Sequence, residues 1–157
     1  MSEAAFNLTP SAREAIVDAL NQCVAETVVT TMLAQNFHWN VRGMAFGPLH
    51  ELFQKIYEDH FEGQDDLAER IRALDAHAEG MLSTMLQRSK VEEADGHQTD
   101  REMIALLLKA EEQIASTLTG LEAIAAENGD SRTEDLAIER GRIHEKFAWM
   151  LRAHLQG

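Results

Sequence analysis

Four long runs of apolar residues at three- and four-residue steps constrain this chain more than any other feature it has. The first opens at Thr9-Pro10, a hydroxyl cap followed by proline at the first helical position. Ile16, Leu20, Cys23, Val24, Val28 and Met32 carry its stripe, which is predicted to run to about His38. Gly43, Gly47 and Pro48 break it. The second starts near Pro48, carries Leu49, Leu52, Phe53, Ile56, Phe61, Ile71 and Leu74, and fades near Ala76. The stretch that follows, to about Gln98, is long for a bare loop, and its run from Met81 to Leu86 predicts a short helix within it. The third helix begins with a capping box, Thr99 with Glu102, and carries Ile104, Leu107, Leu108, Ile114, Leu118 and Leu121 to a stop at Asn128-Gly129. Ser131 with Glu134 reads as a second capping box, opening a fourth helix through Ile143, Phe147, Met150, Leu151 and Leu155. Helices of about 27 residues are rods of roughly 40 Å. Two short connections flank one long one, so the expected fold is all-α: a four-helix bundle of two antiparallel hairpins, joined by a crossover that carries a short extra helix.

The 157 residues fit one domain, expected to span 1–157, with no internal repeat or linker. Hydrophobic residues at 45% and charged residues at 26% make a soluble globular mixture. No apolar stretch approaches the roughly 20 residues of a membrane span, and MSEAAFNLTP lacks the basic and apolar regions of a signal peptide. The single cysteine, Cys23, has no partner for an intrachain disulfide, fits a reducing cytoplasm, and is expected to be a small core residue. The net charge of −13 repels nucleic acid unless a local basic patch overrides it; solubility is enough to explain it, and a field that concentrates cations is the sharper alternative.

His38, His50, Asp65 and Glu69 are the candidate chemical residues. Asp65 and Glu69 are four apart on the second helix, which stacks their side chains on one face, where two carboxylates can grip one cation. That helix is crowded with acids (Glu58, Asp59, Glu62, Asp65, Asp66, Glu69), so the pair taken alone reads more readily as a solvated face. His38 ends the first helix and His50 opens the second, and an antiparallel hairpin holds them close. His50 and Asp65 are fifteen residues apart, so they differ by only about 60° in direction but by roughly 22 Å in height. They share a face and cannot share an ion within one chain. Two copies related by a two-fold axis across that face would bring His50 of one beside Asp65 and Glu69 of the other, making two identical composite sites.

The stretch H-W-N-V-R-G-M-A-F-G-P-L-H-E-L-F-Q, from His38 to Gln54, resembles the first signature of the Dps family. D-D-L-A-E-R-I-R-A-L-D, from Asp65 to Asp75, resembles its second, and the spacings among all four candidate residues match. The resemblance implies a ferritin-like bundle. It implies that His38 and His50 of one subunit bind iron with Asp65 and Glu69 of its two-fold mate, with Glu69 the strongest ligand and bridging two irons. It further implies a hollow dodecamer that oxidises Fe²⁺, preferably with hydrogen peroxide, and stores ferric mineral, protecting the cell under oxidative stress. Trp39, after the first histidine, would lie near the iron site and intercept stray oxidising equivalents; packing at a helix end explains it equally well.

The chain departs from the family pattern at Gln54, where an acid is usual, and at Gln64, where an apolar residue is usual. Gln54 falls one turn after His50 and adds no charge, so a looser second iron position is expected. Asp130, Glu134, Asp135 and Glu139 gather where the family lines a three-fold pore. Asp130 and Asp135 are the candidate pore residues, Asp135 fitting better, although the helix dipole alone accounts for acids there. His60, His77, His97, His144 and His154 match no ligand position and are expected at the surface or in packing. Two other readings compete: a nucleoid-associated protein that shields DNA, and a ferritin-like scaffold with weak or no ferroxidase activity. Some family members bind DNA through a lysine-rich N-terminal tail, whereas Met1 to Thr9 here hold no Lys or Arg, and Arg152 and His154 are the only basic groups from Arg152 onward. Counterion release needs clustered cations. The protein is therefore expected not to retard duplex DNA in a gel-shift assay at neutral pH and physiological salt; a shifted band there would overturn this reading.

Overall fold

The computed structural model describes residues 3–157, except the side chains of Ala4 and Phe6. Its helices in chain order are α1 (Glu3–Phe6), α2 (Pro10–Asn40), α3 (Phe46–Ala73), α4 (Leu82–Arg88), α5 (Asp100–Glu127) and α6 (Ser131–Leu155). Among the described residues there is no strand. α2 packs on α3 and α5 on α6 as hairpins, α2 also faces α5, and α4 lies against α2 on the crossover. This is the expected four-helix bundle with a short helix in the crossover. The one-turn α1 was not anticipated. No helix is long and apolar enough to cross a membrane among the described residues.

Local chemistry sets most helix ends. Thr9 caps α2 by accepting from the Ala12 amide at 3.2 Å, with Pro10 at the first helical position. Thr99 and Glu102 form both bonds of the capping box, at 3.2 and 2.8 Å. Gly129 follows α5 with φ +72°, the left-handed stop that glycine adopts freely. The expected capping box at Ser131 is corrected. Asp130 is the cap of α6, its carboxylate accepting from the Thr133 amide at 3.1 Å and the Thr133 hydroxyl at 2.5 Å.

The core runs the length of the bundle through Ile16, Leu20, Phe37, Phe53, Ile56, Leu67, Ile71, Leu107, Ile114 and Leu151, all fully enclosed. Each such side chain contributes about 1.5–3 kcal/mol of burial free energy. Cys23 is buried among them as a free thiol, and burial pushes its pKa far up, the Glu26 carboxylate adding to the effect. Met32 and Phe61 depart from their stripes: they are 47% and 65% exposed, in grooves that α2 and α3 share with α4. The crossover is fastened to α2 by polar contacts, including Asn36 Nδ2 to the Ala94 carbonyl at 2.9 Å and Arg88 to Asp18 at 2.9 Å. Buried Glu26 joins three segments, accepting from the Thr117 hydroxyl of α5 at 2.5 Å, the Lys90 amide of the crossover at 3.1 Å, and Gln22 at 3.0 Å.

Gly63, inside α3, is explained by α6. A Cβ there would lie 2.3 Å from Cζ of Arg140, whose guanidinium is buried and bonded twice to Asp59. The side chain cannot withdraw without breaking that pair. Gly63→Ala is expected to destabilise the protein by about 2 kcal/mol through this overlap. Gly120→Ala, on an exposed part of α5 with open space around it, is expected to stabilise it by about 0.5–1 kcal/mol. Opposite shifts in thermal unfolding midpoint at matched concentration would bear this out; equal shifts would refute it.

Candidate metal centre

The α2–α3 corner is a five-residue connection, 41–45, in which Gly43 at φ +112° turns the chain back. It sets the last turn of α2 beside the first turns of α3, which brings His38 and His50 together. Nδ1 of His38 lies 2.6 Å from the His50 carbonyl, and Nδ1 of His50 lies 2.7 Å from the His38 carbonyl. A carbonyl only accepts, so each Nδ1 carries a proton and donates it to the carbonyl. The rings stack at 3.7 Å between centroids and 14° apart, with Phe46 stacked on His50 at 4.9 Å and Tyr57 edge-on to His38 at 5.3 Å. Neither Nε2 has a protein partner among the described residues. Two nearly parallel imidazoles are thus fixed in rotamer, as metal-binding histidines are when a carbonyl holds the other nitrogen.

Asp65 and Glu69 lie on α3, both exposed, with no hydrogen bond or ion pair among the described residues. Asp65 lines a groove with Val28, Phe61 and Met85, and a neighbouring groove continues the same face past Met32, Leu82 and Leu86 to Trp39. Met32, Trp39, Phe61, Leu82 and Leu86 are all between 44% and 69% exposed there. One chain therefore brings the two histidines together and leaves the two carboxylates elsewhere on α3. Gln54 bonds to Glu58 on its own helix at 2.8 Å.

A Ferritin-like domain family model matches residues 17–157. The chain is 34% identical to general stress protein 20U of Bacillus subtilis, over 90% of this chain and 98% of that one. It is equally similar to DNA protection during starvation protein 2 of Bacillus anthracis, over 89% and 96%. The crystal structure of the Dps protein of Vibrio cholerae O1, described as a member of a broad superfamily of ferritin-like diiron-carboxylate proteins, superposes with a TM-score of 0.91 at 30% identity. That match covers 95% of this chain and 94% of that one. This chain belongs to the Dps family. The Dps structure from Bacillus brevis superposes equally well, at 30% identity over 95% of this chain and all of that one.

Of the two acids expected at a Dps pore, Asp130 is buried in the single chain, caps α6 and pairs with Arg70 of α3 at 2.8 Å. Asp135 is exposed.

This Dps chain also holds a polar cluster that the sequence reading missed. His60 (α3), Glu111 (α5) and His144 (α6) are completely buried. Nε2 of His60 is 2.5 Å from one Glu111 oxygen and Nδ1 of His144 is 2.5 Å from the other. Nδ1 of His60 is 2.9 Å from Asp59, which Arg140 holds at 2.8 Å. His60 thus has a carboxylate at each nitrogen. Burial works to strip its proton, but Glu111 and Asp59 outweigh it and raise the pKa. Burial lowers that of His144, which donates Nδ1–H to Glu111 as a neutral ring. Burial would raise the Glu111 carboxyl, yet the two histidines hold it at about 2. The signal for these residues was present: each falls on the apolar stripe of its helix, one turn from Ile56, Leu107 and Ala148 respectively.

The Asp130 assignment has a direct check. Asp130→Ala leaves Arg70 half-enclosed without its partner and α6 without its cap, and is expected to cost about 3 kcal/mol. Asp135→Ala is expected to change stability by less than about 0.5 kcal/mol. Urea unfolding of both variants measures the difference, and similar losses in the two would count against the assignment.

Proposed function

We propose that this Dps-family protein is a mini-ferritin that oxidises Fe²⁺, preferably with hydrogen peroxide, at sites shared across a two-fold interface, and stores the ferric product inside a hollow dodecamer. The whole chain, 1–157, would act as one ferritin-like domain in the cytoplasm. The observation that carries this reading is the His38–His50 pair, with both Nδ1 atoms occupied by carbonyls and both Nε2 atoms left for a metal.

His50 and Asp65 both lie on α3, so the height of roughly 22 Å between them is a property of one rod. A second copy laid antiparallel against the exposed face of α2 and α3 would bury Met32, Trp39, Phe61, Leu82 and Leu86, and set the histidines of one chain beside Asp65 and Glu69 of the other. The donor set suits iron: imidazole fits a borderline cation, and carboxylate oxygens favour Fe³⁺ over Fe²⁺ and so assist electron loss. Two ferrous ions each give up one electron. Hydrogen peroxide takes both and, with two protons, leaves as two waters, so no hydroxyl radical is released. Glu69 would contact both ions. Gln54, turned to Glu58, adds no charge, which fits a looser second position. Trp39 stands exposed one residue from His38, where it would meet stray oxidising equivalents. Asp135 remains as the acid for an iron pore.

His50→Ala and Glu69→Ala are each expected to slow peroxide-driven Fe²⁺ oxidation, followed by ultraviolet absorbance, at least 100-fold, with helical circular dichroism unchanged. Normal rates in both variants would refute the ligand assignment. Analytical ultracentrifugation is expected to give a dodecamer, and a monomer would remove the composite site.

A further inference from the structure

The His60–Glu111–His144 cluster is separate from the candidate iron-oxidation residues and belongs to a single chain. We propose that it is a second metal site, holding one divalent transition-metal ion of the zinc class inside each bundle. One ligand atom from each of His60, Glu111 and His144 lies within 4.8 Å of the other two, and the three residues come from three different helices and are completely enclosed. The ring centroids of the two histidines are 4.4 Å apart. Three apolar side chains would fill this space at lower desolvation cost, so the donors are an expensive choice for mere packing.

The donor chemistry selects the ligand. Two imidazoles exclude Ca²⁺ and Mg²⁺, which take oxygen ligands, and favour zinc or a similar ion. A single carboxylate argues for one ion rather than two, because di-iron sites in such bundles draw a carboxylate from each of four helices. The enclosure leaves no place for substrate. With both Glu111 oxygens as ligands the site would be four-coordinate and closed, as structural zinc sites are.

The surroundings of His60 are those of a metal-binding histidine. Asp59 takes Nδ1 at 2.9 Å and leaves Nε2 aimed at the centre. Arg140 holds both Asp59 oxygens, at 3.3 and 2.8 Å, and Gly63 clears the space in which its guanidinium lies. Arg140 and Asp59 neutralise each other, so the ion meets the negative charge of Glu111. It would displace the protons now on His60 Nε2 and His144 Nδ1. His144 would then carry its proton on Nε2 and give up the 3.5 Å hydrogen bond it now accepts from Arg140, which keeps its two bonds to Asp59. With metal–ligand bonds of about 2.0–2.2 Å, neighbouring donor atoms must part by roughly 1 Å from their present 2.5 Å contacts.

The test uses full-length protein with His38→Ala, His50→Ala, Asp65→Ala and Glu69→Ala combined, so that it is independent of the proposed ferroxidase site. Producing it in cobalt-supplemented medium supplies Co²⁺ while the chain folds. One Co²⁺ per chain is expected after dialysis, by elemental mass spectrometry, with the intense visible band of a four-coordinate ion. Adding Glu111→Gln or, separately, His144→Gln to the quadruple variant is expected to abolish both signals with helical circular dichroism retained. Absence of bound Co²⁺ in the quadruple variant, or an unchanged spectrum in the folded Glu111→Gln or His144→Gln variant, would overturn the proposal. If either added variant fails to fold, the quadruple variant still decides, since its cluster is intact.

Discussion

The reciprocal bonds between His38 and His50 are the contact on which the functional face depends. Each ring donates to the other residue's carbonyl, so neither can turn without losing its own hydrogen bond. The pair forms only if the last turn of α2 lies beside the first turns of α3, which the short connection at Gly43 enforces. The same contact therefore closes the hairpin and aims the two Nε2 atoms. Further along α3 the carboxylates of Asp65 and Glu69 are separated from those nitrogens by the stiffness of the helix. On the proposed reading the donor set is divided along a rod, and its chemistry would be conditional on assembly, because nothing within a chain can bend α3 to complete it.

Features encoded within a few residues were legible in the sequence. Thr99 with Glu102 and Thr9 with Pro10 set helix starts through bonds spanning three residues, and the structure contains them as read. The closeness of His38 and His50 was also legible, because a short connection between two helices leaves little freedom. The start of α6 was not. Ser131 and Asp130 are both good caps, and the choice is reinforced from sixty residues away, where Arg70 draws the Asp130 carboxylate inward. Periodicity also could not sort Met32 and Phe61 from the core. It counts apolar residues on a stripe, but not whether the chain itself covers that stripe.

The buried cluster was hidden for a related reason. His60, Glu111 and His144 come from three helices and acquire meaning only together, and a single polar residue on an apolar stripe reads as an exception. Once the bundle forms, Gly63 becomes intelligible as well. A glycine inside a 28-residue helix costs stability by its own propensity, and its position is accounted for by the guanidinium of Arg140 lying against it.

The two histidine pairs show how the partner of one ring nitrogen decides what the other can do. At the α2–α3 corner the partners are neutral carbonyls. They orient the ring through Nδ1 and leave Nε2 without a protein partner among the described residues. Inside the bundle His60 meets carboxylates at both nitrogens and stays charged, and Arg140, Asp59, His60 and Glu111 together sum to no net charge. That neutrality lets four ionised groups persist in the core without a metal. It also gives an incoming divalent ion a defined competitor: the protons held between Glu111 and its two histidines.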